Sequence, residues 1–327
     1  MSMKAIRVHQ WCEPQGLVME EVERPEPGAG EVLIRIHAAA LNFPDVLLIA
    51  GKYQVKPPLP FSPGMEVAGT VEKIGDGVTT WQTGERVLAQ LGLGGFAEYT
   101  VAPVANIQPL PDRMSYEEGA SFGLVYQTSY FGLAERGQLR EGETVLVHSA
   151  GGGVGLAAVQ IARALGAGKI IGTAGSDDKL AVIRESGADV VINYQTEDFV
   201  EVVKRETAGR GADVIYDPVG GETGERSTKC IAFEGRLIII GFTSGKFPSF
   251  AGNHILIKNY SVIGLHWGAY RQHNPAKIAP AWKALFELYE AGKLKPVIGG
   301  RFPMAEVADA MNLLTSRKAV GKIVLHW

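Results

Sequence analysis

The sequence predicts an α/β fold in two parts: a β-rich, turn-rich domain and a doubly wound parallel sheet. Three observations carry this. From Thr144 onward, strand-like and helix-like segments alternate at the spacing of βα repeats. Before about residue 110, short apolar runs are separated by Gly, Pro and Thr, the pattern of a folded-up antiparallel sheet. After about residue 262 the alternation stops, and amphipathic helices and a terminal strand follow. The chain has 327 residues, which suits two domains better than one. The expected division is 1–124, 125–262 and 263–327, a nucleotide-type domain inserted between an N-terminal part and its returning C-terminal part.

In the first part the strand candidates are Lys4–Val8, Val32–Ala38, Glu66–Val71, Arg86–Ala89 and Ala97–Val101. Pro25, Pro27, Gly28 and Gly30 mark one turn cluster, and Pro57, Pro58, Pro60, Pro63 and Gly64 a second, stiffer one. Tyr116–Ser121 and Val125–Arg136 have helical periodicity. Ser115 and Glu118 stand at capping-box spacing in front of them. The alternating part has strand candidates at Thr144–His148, Lys169–Thr173, Val190–Ile192, Val214–Tyr216 and Leu237–Ile240. Helices are expected at Leu156–Leu165, Asp178–Ser186, Asp198–Thr207 and Gly224–Cys230. The last part offers amphipathic helices at Lys277–Glu290 and Met304–Thr315 and a strand at Lys322–Leu325.

Composition excludes several classes. With 32 Lys and Arg against 35 Asp and Glu, the net charge of −3 gives no reason to expect nucleic acid or an anionic lipid surface as a partner. Two cysteines, Cys12 and Cys230, supply neither a disulfide framework nor a four-cysteine metal site. The uncharged stretch Val145–Ala162 changes period partway and contains a glycine cluster. It reads as strand, turn and buried helix rather than a membrane span. The opening MSMKAIRVHQ has Lys4 and Arg7 among its apolar positions and no apolar leader behind them, so a cytoplasmic protein is expected.

The glycine content, 41 of 327 residues, is high and has a focus. A strand-like run enters the turn Ser149-Ala150-Gly151-Gly152-Gly153, and helix-forming residues follow. Gly153-x-Gly155-x-x-Ala158 satisfies the dinucleotide fingerprint G-x-G-x-x-G/A, with Gly151 and Gly152 leaving its register open. Glycines remove side chains between backbone and pyrophosphate, and the helix start directs free N–H groups at the phosphates. Ala150, Gly151, Gly152, Gly153, Val154 and Gly155 are therefore the candidate cofactor cradle. The next strand ends in Ala174-Gly175-Ser176, where an NAD-specific site places an acid for the ribose. Ser176 and Lys179 instead suit the 2′-phosphate of NADPH. The competing reading turns Asp177 or Asp178 inward to the ribose. Tyr194 stands where it can pack beside the adenosine or simply fill the rim. The histidines show no metal-ligand spacing and no G-x-S-x-G element is present, neither of which hydride transfer requires.

Six motifs in order now point further: ALNFPDVLLIAGKY at 40–53, PFSPGMEVAGTVEKIG at 60–75, VLVHSAGGGVGLAAVQIARALGA at 145–167, GADVIYDPVGG at 211–221, GRLIIIGF at 235–242 and SRKAVGKIVL at 316–325. Across essentially its whole length the chain resembles the zinc-independent, zeta-crystallin-like quinone oxidoreductase branch of the medium-chain dehydrogenase/reductase superfamily. The resemblance implies a GroES-like β-rich catalytic domain from both termini, a central Rossmann-fold domain, NADPH, and a small-molecule quinone or related activated carbonyl as acceptor. It also implies a homodimer or homotetramer.

Zinc-using relatives have Cys-x-Thr/Ser-Asp where this chain has Asn42-Phe43-Pro44-Asp45, and Gly-His-Glu where it has Gly64-Met65-Glu66. Neutral amide and thioether replace thiolate and imidazole, so no metal is expected. By the same resemblance Asn42 lies near the nicotinamide and Tyr53 near the substrate, where its hydroxyl donates to the reacting oxygen or its ring only walls the pocket. Thr128, Gly241 and Phe242 correspond to further nicotinamide-side contacts, and Arg317 to a basic residue that joins Lys179 at the 2′-phosphate. Reduction of an enone or 2-enoyl-thioester remains the alternative, since fold and cofactor motifs do not separate it from quinone reduction. A structural or RNA-binding role is a reading of a different class.

Overall fold

The computed structural model describes residues 1–327 and divides into two compact units, Met1–Leu124 with Pro296–Trp327, and Val125–Lys295. In chain order the first unit contains β1 (Ser2–Arg7), β2 (Val18–Glu23), β3 (Glu31–Leu41), α1 (Phe43–Ile49), β4 (Glu66–Ile74), β5 (Arg86–Gln90), β6 (Tyr99–Pro103) and β7 (Ile107–Pro109). The unit boundary falls inside α2 (Tyr116–Tyr130), which a six-residue π-helical segment, Phe131–Arg136, extends. The capping box starts α2: Ser115 N–H donates to Glu118 Oε2 at 2.9 Å, and Glu118 N–H to Ser115 Oγ at 3.2 Å.

The second unit continues with β8 (Thr144–Val147), α3 (Gly153–Ala164), β9 (Lys169–Ala174), α4 (Asp177–Glu185), β10 (Val190–Asn193), α5 (Phe199–Glu206) and β11 (Ala212–Asp217). Then come α6 (Gly221–Ser227), β12 (Ile231–Ile239), α7 (Gly252–Lys258), β13 (Ser261–Gly264), α8 (Tyr270–His273) and α9 (Ile278–Glu290). The chain returns to the first unit as β14 (Ile298–Pro303), α10 (Val307–Thr315) and β15 (Lys322–His326).

In the first unit β3 is central because most of its side chains are apolar and buried. It pairs antiparallel with β4, β6 and β15 in a seven-stranded sheet. Ile34, Leu41, Val67, Phe96 and Ile323 lie in one core cluster with Val307 and Met311 of α10. Strand β2, absent from the expected strands, is half exposed and rich in glutamate, so burial leaves little pattern on it. Helix α1 is also unexpected from periodicity; at its start Asn42 N–H donates to Asp45 Oδ2 and Asp45 N–H to the Asn42 backbone carbonyl.

In the second unit every pairing is parallel, and the order is β10-β9-β8-β11-β12-β13. Chain direction across the sheet reverses between β8 and β11, the switch point at which doubly wound sheets bind ligands beyond their strand carboxyl ends. The span 263–295, expected in the returning part, belongs to this unit instead. Part of β13 lies within it and pairs with β12, Arg136 Nε donates to Gly264 O at 3.4 Å, and Gln160 Nε2 donates to Lys295 O at 2.9 Å. The return comes at Pro296.

His148, at the end of β8, is wholly interior. Ser227 donates its hydroxyl hydrogen to Thr223 O (2.7 Å), so it accepts from His148 Nε2–H at 2.8 Å, and Thr173 Oγ1 lies 3.2 Å from Nδ1. The ring is thus held neutral, as a packing residue with both nitrogens engaged. Burial pushes its pKa down, and the Asp217 charge opposes this more weakly. The folded pKa lies below that of the unfolded chain, so the stability contribution is complete above about pH 6.5 and is lost as pH falls toward the folded value, at up to about 1.4 kcal/mol per pH unit. Thermal unfolding from pH 7.5 to about pH 5 is expected to show a steeper acid-side loss in the wild type than in His148→Gln. Parallel curves would remove His148 as the cause.

Candidate functional site

Strand β8 stops because Ser149 takes a left-handed backbone conformation, φ 50°. Ala150 N–H donates to Thr173 O at 2.8 Å and Gly152 N–H to Ser149 O at 3.0 Å, closing the turn against β9. Gly152 caps α3 with extended backbone, and the first helical bond runs from Leu156 N–H to Gly152 O at 2.9 Å. The N–H groups of Gly153, Val154 and Gly155 therefore have no partner within the helix, which makes a cradle for an anion. The structure resolves the fingerprint's register. A Cβ on Gly155 would lie 2.6 Å from Ala150 Cα and closer still to the Ser149 carbonyl, so this glycine lets the turn press against the helix. Ala157 and Ala158 are buried, as small residues facing the sheet should be.

The next strand end completes this side. Asp177 accepts from Asn193 Nδ2 at 2.7 Å, and the Ser176 hydroxyl donates to Asp178, holding that exposed carboxyl below its usual range. Both acids of the competing ribose reading thus have partners in the protein. The Lys179 stem lies against Gly151, where a Cβ would be 3.1 Å from its Cδ. Burial pushes the Lys179 ammonium's pKa down, against the raising effect of Asp178. Tyr194, partly exposed, lies over Gly175, with its hydroxyl 2.5 Å from where a Cβ would stand.

Beyond β11 and β12 two loops are tied together. Asp217 Oδ1 accepts from Val219 and Gly220 N–H at 2.8 and 3.0 Å. Thr243 and Ser244 N–H donate to Pro218 and Val219 carbonyls. Gly241 and Phe242 lie on the second of these loops, with Phe242 edge-on to Phe247 at 4.7 Å. Thr128 sits half-buried on α2 in the same unit. Arg317 belongs to the other unit, exposed in left-handed backbone just past α10.

In the first unit Asn42 belongs to a buried polar cluster that the sequence reading did not assemble. Lys322 Nζ donates to Leu41 O at 2.8 Å, Asn42 Oδ1 at 2.6 Å and Glu66 Oε1 at 2.8 Å. Asn42 Nδ2 donates to Glu66 Oε1 at 2.9 Å, and Leu124 N–H to Glu66 Oε2 at 2.8 Å. Asp45 Oδ2 accepts Asn42 N–H at 2.8 Å, while Oδ1 has no hydrogen-bond partner. Burial pushes the Asp45 carboxyl up to about 7, with nearby Lys322 opposing. The nearest sequence signal was the Asn42-x-x-Asp45 spacing of a reciprocal helix cap. Nothing local linked these residues to Lys322.

Tyr53 is half-buried against the core of this unit, and burial together with the Asp45 charge pushes its phenol up.

The cluster does not fit a zinc ion. Its two acids already bind Lys322, Asn42 and backbone N–H groups, and a buried ammonium occupies the centre. Met65 and Asn42 offer only thioether and amide, and nowhere in the chain do three His, Cys, Asp or Glu side chains gather as metal ligands.

Residues 28–112 match the alcohol dehydrogenase GroES-like domain and 153–287 the zinc-binding dehydrogenase family. The chain is 38% identical over 328 residues to a quinone oxidoreductase-like protein 2 homolog of Nematostella vectensis, covering 99% of this chain and 89% of the relative. It aligns with Escherichia coli quinone oxidoreductase, solved complexed with NADPH, at a TM-score of 0.92 and 32% identity, covering 99% of this chain and 100% of that one. The CurK enoyl reductase aligns with a TM-score of 0.89 and 30% identity, covering 99% of each. The glycine turn at the reversal of a parallel sheet and the β-rich first unit, whose large sheet the C-terminal strand joins antiparallel to β3, have the same explanation as these likenesses: the chain belongs to the quinone oxidoreductase branch of the medium-chain dehydrogenase/reductase superfamily and is an oxidoreductase.

Proposed function

We propose that the protein uses NADPH to reduce a quinone or a related activated carbonyl, without zinc. The observation that carries the cofactor choice is at the tip of β9. Asp177 is bound to Asn193, Asp178 to Ser176, and Lys179 packs on the phosphate turn. A 2′-phosphate finds a cation there, and both acids of the ribose reading already have partners within the protein. The related NADPH-bound structure supports the same choice.

In this reading the N–H groups of Gly153, Val154 and Gly155 bind the pyrophosphate, with Ala150, Gly151 and Gly152 shaping the turn. Lys179 holds the 2′-phosphate, joined by Arg317 and by Ser176 once its hydroxyl turns from Asp178 to the phosphate, and Tyr194 packs beside the adenosine. Thr128, Gly241, Phe242 and Asn42 serve the nicotinamide end. NADPH, when bound, supplies the hydride. Tyr53 donates a hydrogen bond to the substrate oxygen as negative charge grows there. A phenol is already protonated at neutral pH, and burial with the Asp45 charge pushes Tyr53 further the same way, so it is a donor. The reduced product takes its proton from solvent, so no dedicated acid is needed.

We also propose that the protein acts in the cytoplasm as a homodimer or homotetramer. No helix is long and apolar enough to cross a membrane. Strand β13 has a sheet partner on one side only, and Leu256 and Ile257 of the preceding helix are largely exposed.

The likeness to an enoyl reductase keeps a second reading in view. Purified protein given NADPH with 1,2- and 1,4-quinones, simple enones and crotonyl-CoA is expected to show its highest kcat/KM on a quinone. An advantage of about tenfold or more for the enoyl-CoA, roughly 1.4 kcal/mol of transition-state preference, would transfer the assignment to thioester reduction. Tyr53→Phe is expected to slow the chemical step by about tenfold or more. An unchanged rate leaves Tyr53 a pocket wall.

A further inference from the structure

Each amide atom of Asn42 has an assigned neighbour. Lys322 carries only donors, so the atom 2.6 Å from its Nζ is oxygen. The atom 2.9 Å from Glu66 Oε1 is then the nitrogen, and its other contact, at 3.4 Å, is Ala40 O. Both amide hydrogens therefore point at protein acceptors, and one lone pair of Oδ1 is taken by Lys322. Glu66 is itself held at both oxygens, by Lys322 and Asn42 on one and by Leu124 N–H on the other. Lys322 spends its three hydrogens on Leu41 O, Asn42 and Glu66. The register of β15 on β3, with Ile323 opposite Leu41, brings the ammonium to this point.

We propose that Lys322 is a positioning residue that turns both amide hydrogens of Asn42 into the protein, leaving one Oδ1 lone pair as all that Asn42 offers a ligand. The group it receives is then a hydrogen-bond donor, a ribose hydroxyl or a carboxamide N–H of the cofactor, and not a quinone or enone oxygen. Asn42 does not stabilise the developing oxyanion, and that task stays with Tyr53. This rests on the reading above that Asn42 serves the nicotinamide end.

Lys322→Met alone strands the buried Glu66 charge and endangers folding. The pair Lys322→Met/Glu66→Gln removes both charges together and still pairs Asn42 in either amide orientation, so it tests positioning apart from charge balance. Full-length wild type, Asn42→Ala, the Lys322/Glu66 pair and the triple variant are compared with NADPH and a 1,4-quinone. The pair is expected to keep a cooperative unfolding transition while kcat falls about tenfold or more, with KM for the quinone changing less than about twofold. The triple variant is expected to be no slower than Asn42→Ala, because the two losses share one cause.

A second readout needs no turnover. The Asn42 side-chain NH2 resonance, identified by its loss in Asn42→Ala, exchanges slowly with water in the wild type and faster in the pair, where no ammonium fixes which amide atom faces residue 66. Wild-type kcat in the pair alongside a slow Asn42→Ala, losses that multiply in the triple variant, or unchanged amide exchange would each overturn the proposal. Wild-type kcat in Asn42→Ala would remove the nicotinamide role of Asn42, and this inference with it. A wild type that reduces no quinone overturns the substrate reading alone, and amide exchange still decides the clamp.

Discussion

Lys179→Ala is expected to weaken NADPH binding by about 30- to 150-fold while leaving NADH binding nearly unchanged. The size follows from losing one charge-assisted hydrogen bond to a phosphate, about 2–3 kcal/mol. The selectivity follows from position: the Lys179 stem lies against Gly151, beside the turn, at the strand tip where only the 2′-substituent differs between the two nucleotides. Burial already lowers the Lys179 pKa. NADPH selects the protonated amine, so its affinity should decline as pH rises through that lowered value, while NADH affinity stays flat. Fluorescence titration of both nucleotides across pH measures this directly. Equal losses for NADPH and NADH would show that Lys179 supports the turn and does not read the phosphate.

Gly155→Ala should abolish binding of both nucleotides alike and destabilise the second unit. The new methyl group would meet Ala150 Cα at 2.6 Å and the Ser149 carbonyl closer still. Both are backbone atoms, so no side chain can rotate away. Relief means moving a turn held by the Ala150–Thr173 and Gly152–Ser149 bonds, at a cost of about 1–3 kcal/mol for forced overpacking. Gly152→Ala is the control. Its Cβ finds nothing nearer than the Ser149 carbonyl at 3.5 Å, so the melting temperature should hold even where phosphate access suffers. Equal melting temperatures for the two variants would show that the turn yields easily and that Gly155 is not the tight point.

The two expectations draw on different kinds of information. That a glycine turn follows β8 and opens α3 was legible in residues 144–167, because turn chemistry and helical periodicity act within a few residues. Which of the four glycines is sterically required was not legible, since the answer depends on how Ser149 and Ala150 fold back on the helix. The orientation of Asp177 was hidden in the same way: Asn193, on the neighbouring strand, draws that carboxylate to itself.

Local sequence thus determined the alternating strands and helices of the second unit, the turn-rich strands of the first, and the phosphate cradle. Each depends on apolar period, capping and turn residues that lie close together in the chain. The tertiary structure decided the return at Pro296, because part of β13 and the helices after it pack with the second unit. It also decided the surroundings of Asn42. Glu66 lies 24 residues away and Lys322 280 residues away, and neither distance leaves a local pattern. Only the antiparallel register of β15 on β3 brings that ammonium to that amide, and register is set by burying both strands' apolar faces at once.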